Sequence, residues 1–197
     1  MNSSVIRKVL PRDFFTAYLK EGLRPDGRKL DKPRKYAIQL KPRSCLVRIG
    51  NTAVLLEKTE GQGIEGWRDL SFLGETTGKT VVKVIVDDGN LEEAVTLGYQ
   101  ILIEKEEVLF PFTFGDLFGY YVRDPTKEEE QNSNSQFTVL VSQNEVNFFK
   151  TQGDPIALSD LENIVKTCQS CISSASHNLS LLKQNNQFVG KLFSLKN

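Results

Sequence analysis

The sequence predicts an α+β fold in which β-sheets are covered by two main helices. Three observations predict it. Short apolar or alternating runs bounded by Gly and Asn recur over residues 36–58, 80–87, 108–123 and 136–151, which is strand patterning. Two longer segments, 91–106 and 159–183, carry apolar residues at helical spacing instead. The elements follow one another as helix, three strands, loop, strand, helix, four strands, helix. No repeat of fixed period is visible. The 197 residues suit one compact domain, over 1–184, followed by a C-terminal tail at 185–197.

Each element has a local cause. Phe14, Phe15, Tyr18 and Leu19 share one helical face, and Gly22 supplies a stop. Arg24-Pro25-Asp26-Gly27-Arg28 reads as a turn, with Pro presetting φ and Gly accepting the left-handed region. Tyr36–Leu40 alternates, and Cys45–Ile49 and Thr52–Lys58 form a hairpin around Gly50-Asn51. Residues 61–78 hold five glycines without periodicity and read as a long loop. The run Val81–Val86 is a buried strand, turned by Asp88-Gly89-Asn90 into a helix with Glu92 and Glu93 at its positive end. Strands follow on either side of Gly115-Asp116, with Pro111 marking an edge or bulge. Residues 128–135 are polar and read as a solvated acidic loop. A hairpin around Gln143-Asn144 and a last helix capped by Ser159 or Asp160 complete the order.

Composition excludes several classes. Charged residues make up 25% of the chain, an ordinary globular share, so a disordered or coiled-coil chain is excluded for its bulk. Three cysteines, Cys45, Cys168 and Cys171, suggest no disulfide framework. No apolar run reaches 18 residues, so no membrane span is expected, and the reading is of a soluble intracellular protein. The net charge of zero hides a split. Residues 1–58 carry 14 Lys+Arg against 5 Asp+Glu, and the remainder carries 11 against 20. Either a basic surface sits on an acidic body, or the two halves interleave and cancel.

Candidate chemistry is thin. His177 is the only histidine and lies off the apolar stripe of the last helix, so no nucleophile triad is in view. Cys168-x-x-Cys171 sits mid-helix, away from the helix N-terminus a redox pair needs, and reads as core. Gly61-x-Gly63-x-x-Gly66 matches a dinucleotide pattern formally, but no helix opens after it. The carboxylates of Asp124, Glu128, Glu129 and Glu130 could bind Mg²⁺, but their composition better fits a solvated acidic loop. No metal site or cofactor is expected. The stronger signal is basic: Arg24, Arg28, Lys29, Lys32, Arg34, Lys35, Lys41 and Arg43 fall within twenty residues, a density that suits a phosphate backbone or a solvated strand edge.

Four colinear motifs carry a resemblance. Phe14-Phe15-x-x-Tyr18-Leu19-Lys20-Glu21-x-x-Arg24-Pro25-Asp26-Gly27-Arg28 is similar to the opening of RNase PH-domain subunits of the RNA exosome. Leu46-Val47-Arg48-Ile49-Gly50-Asn51-Thr52-x-Val54 resembles their next hairpin. Asp88-Gly89-Asn90-x-x-x-Ala94 resembles their strand–turn–helix unit, and Val122-x-Asp124-Pro125-Thr126-x-Glu128-Glu129-Glu130 their acidic element. The resemblance implies an RNase PH-like α+β fold, compacted where residues 61–78 replace a strand and a helix.

It also implies a place where chemistry would occur and a reason why it does not. Active members grip phosphate with an arginine where this chain has Glu92, near Asp88. They carry a second aspartate where it has Glu130, after Asp124 and Glu129. The implied function is a non-catalytic subunit of the exosome core ring. It would scaffold RNase PH-like neighbours and help guide single-stranded RNA for 3'–5' processing and degradation. Implied partners are other ring subunits, S1/KH cap subunits, a processive 3'–5' exoribonuclease and RNA, in nucleus, nucleolus and cytoplasm. Arg24, Arg28, Lys32, Arg34, Arg43 and Arg68 are the candidate RNA contacts, and Trp67 is either an interface anchor or core. The alternatives are a residually active phosphorolytic or metal-dependent exoribonuclease using Asp124, Glu129 and Glu130, and a stand-alone RNA-binding module.

Overall fold

The computed structural model describes residues 7–67, 70, 73, 78–142, 145–190, 192 and 193. Two sheets hold the strands. Strands β1 (Tyr36–Lys41), β2 (Ser44–Ile49), β3 (Thr52–Thr59), β4 (Gly63–Glu65), β5 (Lys79–Val86) and β10 (Gln187–Gly190) form the first, in the order β10-β1-β2-β3-β5-β4. Strands β6 (Phe110–Leu117), β7 (Tyr120–Arg123), β8 (Ser135–Val141) and β9 (Val146–Gly153) form the second, in the order β7-β6-β8-β9. Helix α2 (Leu91–Leu102) packs on β2 and β3 and reaches β6. Helix α4 (Leu158–Asn185) lies against β8, β1 and β10. The α+β architecture expected from sequence is the one observed.

Alternation explains which faces meet. Cys45, Val47 and Ile49 of β2 point inward, as do Val54 and Leu56 of β3, and they join Leu97 of α2, Phe112 of β6, Val139 of β8 and Ile172 of α4 in one core. Gly98 lets α2 approach: a Cβ there would stand 2.5 Å from Leu56 Cδ1 and 2.9 Å from Val47 Cγ2. A smaller cluster joins Phe14, Phe15 and Leu19 of α1 (Pro11–Leu19) to Leu117 and Val122. Cys168 and Cys171 are buried and unbridged, and burial pushes the Cys168 thiol up to about 12, so the pair is core. His177 is exposed.

Several sequence expectations need correction. The supposed acidic loop at 128–135 is in part a helix, α3 (Lys127–Asn132), opened by a capping box between Thr126 and Glu129. The described part of the supposed tail, residues 185–190, 192 and 193, is not loose. β10 pairs with β1 from Tyr36↔Gly190 to Gln39↔Gln187, and Leu192 and Phe193 are buried in the main core. The β6–β7 turn is at Phe118-Gly119, both with positive φ, and not at Gly115-Asp116, which lie within β6. Neither Ser159 nor Asp160 caps α4; its N-cap is Ala157, with no side-chain bond. Pro111 is tolerated because β7 pairs only with Phe114–Leu117, leaving that part of β6 without a second neighbour among the described strands. The segment 61–78 contains β4, and the Gln143-Asn144 turn lies outside the described residues.

Among the described residues, one sheet edge stays open. β4 covers β5 only from Lys79 to Val81. Beyond it Val84, Ile85 and Val86 are exposed, Ile85 by 59%. The register against β3 shifts between Ala53 and Val54, leaving Ile85 as the extra residue of a bulge. A bulge beside Lys83 is a usual way to blunt an unpaired edge.

Candidate functional site

The four motifs converge at one end of the first sheet. The left-handed Asn90 (φ 60) turns β5 into α2, and the left-handed Asp124 (φ 54) turns β7 into α3. Asp and Asn tolerate this conformation best among residues with a Cβ. Gly89 lies against the Pro125–Lys127 backbone so closely that a Cβ would fall about 2.5 Å from it.

Asp124 is the centre. Its carboxylate is fully buried and accepts from the Arg34 backbone N–H at 2.7 Å, Arg34 Nη2 at 2.8 Å, Arg28 Nη1 at 3.1 Å and Asn90 Nδ2 at 2.7 Å. Burial raises its pKa, but the hydrogen bonds and charge of Arg34, then the charge of Arg28, outweigh burial and hold it below the usual range. Arg34 also donates to the carbonyls of Asp88 and Gly89, at 2.8 and 3.2 Å. Burial lowers its pKa, but the hydrogen bond and charge of Asp124, then the charge of Asp88, outweigh burial and hold it above its usual value.

Arg24 makes the second cluster. It is 0% exposed, pairs with Glu129 through two nitrogens (Nε–Oε1 2.8 Å), and donates to the carbonyls of Arg123 and Asp124 at 2.7 and 3.0 Å. Glu129 at the same time accepts from the Thr126 backbone N–H at 2.8 Å, closing the cap of α3. A third buried pair, Arg123 with Glu93 (2.6 and 2.8 Å), lies beneath, and Tyr36 donates to Glu93. Burial opposes the Arg123 charge, but Glu93 facing it raises its pKa. Its guanidinium also sits 4.9 Å from the Phe112 ring.

Of the candidate RNA contacts, then, Arg24 is enclosed and presents nothing to a polyanion. That is a correction of the sequence reading, and its cause is the acidic second half of the chain. Arg28 and Arg34 are largely buried and engaged with Asp124. Lys32 and Arg43 are on the surface, Lys32 paired with its neighbour Asp31. Arg43 lies beyond the far end of β1, so the basic residues do not form one continuous strip. Arg68 lies outside the described residues.

Of the remnant residues, Glu92 and Glu130 line a cavity of about 590 Å³ at the N-terminus of α2, bounded also by Trp67, Asn90, Phe137 and Lys150, among others, whereas Asp88, Asp124 and Glu129 do not. Two carboxylates hold its polar groups. Glu130 Oε1 accepts from the Asn90 backbone N–H at 2.5 Å, taking the place an external anion would have at a helix N-terminus. Glu92 accepts from Lys150 Nζ at 2.8 Å, and Lys150 is the only cation of the described lining. Phe137, Gln136 and Lys150 were not singled out as site residues by charge or motif. Trp67 lies between the two readings given to it, packed on the core and lining the cavity. Among the described residues no group of three or more His, Cys, Asp or Glu is placed to hold a metal, and no helix is long and apolar enough to cross a membrane.

Burial raises the Glu130 carboxyl above its usual 4.5, against the Asn90 N–H bond and the charge of Lys127. A carboxyl whose pKa is raised in the folded state contributes stability that is fully present below the unfolded value and is lost as pH climbs from there through the folded value. Glu130→Gln is therefore expected to melt no lower than wild type at pH 7, with the difference closing below about pH 4.5. A melt clearly below wild type at pH 7 would refute this.

No protein-family model matches the chain, and no curated protein matches it in sequence. Its fold does match solved structures. A chain of the Archaeoglobus fulgidus exosome, solved with RNA bound to the active site, aligns with TM-score 0.61 at 18% identity, over 79% of this chain and 92% of that one. A chain of an archaeal exosome core aligns at 0.62 and 17%, over 84% and 94%. Rice (Oryza sativa) Rrp46 aligns at 0.60 and 16%, over 82% and 98%. The chain thus has the RNase PH-like fold of exosome core subunits.

Proposed function

We propose that this chain is a non-catalytic subunit of an RNA exosome core ring. It scaffolds RNase PH-like neighbours and helps guide single-stranded RNA toward a separate 3'–5' exoribonuclease, with S1/KH cap subunits as further partners. Its opening segment is most similar to that of ribosomal RNA-processing protein forty-three, and the reading carries nucleus, nucleolus and cytoplasm as its locations. One observation carries the non-catalytic part: the chain's own charges use up what phosphorolysis needs. Asp124 is neutralised by Arg34 and Arg28, Glu129 by Arg24, and Lys150 by Glu92. A clamp on two phosphates requires free cations, and the described cavity lining offers none.

The test has two arms. Affinity purification of the tagged chain should bring down other RNase PH-like subunits. The pure chain, given RNA and inorganic phosphate, should release no nucleoside diphosphate. Phosphate-dependent release by the wild type that disappears in Glu130→Gln would overturn the reading; Asp124→Ala is the poorer probe, because it also strips the hydrogen bonds that Asp124 accepts from Arg34, Arg28 and Asn90. Within the RNA role, Arg43→Glu should weaken RNA binding by the assembled ring and reduce its salt dependence, leaving the melting temperature of the chain unchanged. Unaltered binding would remove Arg43 from the RNA path.

A further inference from the structure

We propose that the outward face of the first sheet, across β10, β1, β2, β3 and β5, docks a partner helix whose apolar stripe is flanked by acidic residues. The inference goes beyond the ring reading and does not rest on it. Three observations carry it.

The first is what the face presents. Both long helices pack on the inward side of this sheet, where Tyr36, Ile38, Val47 and Leu56 lie in the main core. Alternation and register then fix the outward side. One row runs Val189↔Ala37↔Arg48↔Ala53↔Val86, and the next runs Gln39↔Leu46↔Leu55↔Lys83. An antiparallel sheet that turns one face to water normally carries polar side chains there. Here Val189 is 78% and Val86 45% exposed, with Ala37, Leu46 and Leu55 partly exposed between them. These side chains are neighbours in register or one row apart on one face, so they form an aliphatic patch and not scattered single residues.

The second is charge. The acids Glu57 and Glu65 on this face are taken by Lys83 and Lys79, whereas Arg48 and Lys41 are exposed and make no ion pair among the described residues. Lys41 stands opposite Ser44, four residues along β2 from Arg48, so the two cations lie about 14 Å apart with Leu46 between them. The patch is thus bracketed by unpaired positive charge, which orients and selects an acidic partner.

The third is size. Five strands at about 4.8 Å spacing span about 19 Å, so the patch covers roughly 300 Å². A stable dimer needs about 800 Å² from each partner, and a second copy laid face to face would set the same cations against each other. A single helix matches better. Its diameter of about 10–12 Å fits between the two cations, and about thirteen residues of it cross the five strands. RNA fits poorly, because none of the outward positions is aromatic and a base has nothing to stack on.

The full-length chain is titrated with a lactam-stapled helical peptide of about sixteen residues, followed by fluorescence anisotropy and NMR. The peptide carries Leu at i, i+3, i+4 and i+7 spacing, with Glu on both flanks. Binding is expected, with amide shifts confined to the five strands. Arg48→Glu should weaken it about tenfold or more, and Val189→Asn several-fold; both positions are exposed, so an unchanged melting temperature verifies folding. The same peptide with Lys for every Glu should bind at least about tenfold more weakly. Three results overturn the proposal: no binding by a folded wild type, binding unchanged in either variant, or equal binding of the Lys peptide. Oligouridylate binding this face as tightly as the acidic peptide overturns it too, and makes the face an RNA surface. Ring membership is read by purification and stands or falls separately.

Discussion

Arg24→Met is expected to remove about 3–5 kcal/mol of stability, the usual cost of stripping one partner from a buried ion pair. Arg24 is 0% exposed, and four of its hydrogen bonds go to Glu129 and to the carbonyls of Arg123 and Asp124. Met fills the space but leaves the buried Glu129 carboxylate with only its Thr126 donors close by, and removes the Arg24 donors from the Arg123 and Asp124 carbonyls. For a chain of this length the loss corresponds to a melting temperature lower by roughly 6–20 °C, against a total stability of about 5–15 kcal/mol. The double variant Arg24→Met with Glu129→Gln separates charge from packing. Gln still closes the capping box on Thr126, so the pair should recover part of the loss. A single variant melting within about 2 °C of wild type would show that the pair contributes little.

The same residues mark how much was legible in the sequence. The strands and both long helices were, because alternation and helical spacing survive burial on one face. So was the convergence of the motifs, through resemblance. The charge split was visible as a number, but its use was not. Arg24, Arg28 and Arg34 lie in the basic half, and their partners Glu129, Asp124 and Asp88 lie 54 to 105 residues later. Nothing local distinguishes an arginine bound for a buried carboxylate from one bound for a phosphate, since both want the same planar donor fork. Interleaving, the blander of the two readings of the split, accounts for these three arginines.

Two local signals were present and outweighed. Thr126-x-x-Glu129 is a capping box, yet the run of acids around it suggested solvent. Phe188 and Phe193 near the end of the chain were apolar enough to expect packing, but without a periodic run they read as tail. Glu93 had no signal at all. It was assigned to the helix dipole, while its burial depends on Arg123 and Tyr36 arriving from other strands.

Asp124→Asn should be the most damaging conservative change in the chain. Asn tolerates the left-handed backbone at this position as well as Asp does, so no backbone strain is added and the charge alone is tested. That charge faces Arg34 and Arg28 and accepts an amide from Asn90. Its loss takes the buried carboxylate from two largely buried guanidinium groups, leaving Arg34 only the more exposed Asp88 and Arg28 chiefly the more exposed Asp26, at about 3–5 kcal/mol. The amide NH₂ also has to point at donors, whichever way it turns. The pH dependence gives an independent check. The folded-state pKa of Asp124 is depressed, so its contribution is fully present above the unfolded value near 3.8 and is lost as pH falls toward the folded value. Wild type should therefore lose stability on acidification below about pH 4, whereas Asp124→Asn, already without the contribution, should show a flatter acid limb. Urea midpoints measured from pH 7 to pH 3 decide it. Parallel curves for the two proteins would mean that Asp124 does not link the RPDGR turn to the acidic element, and that the network holds through Arg24 and Glu129 alone.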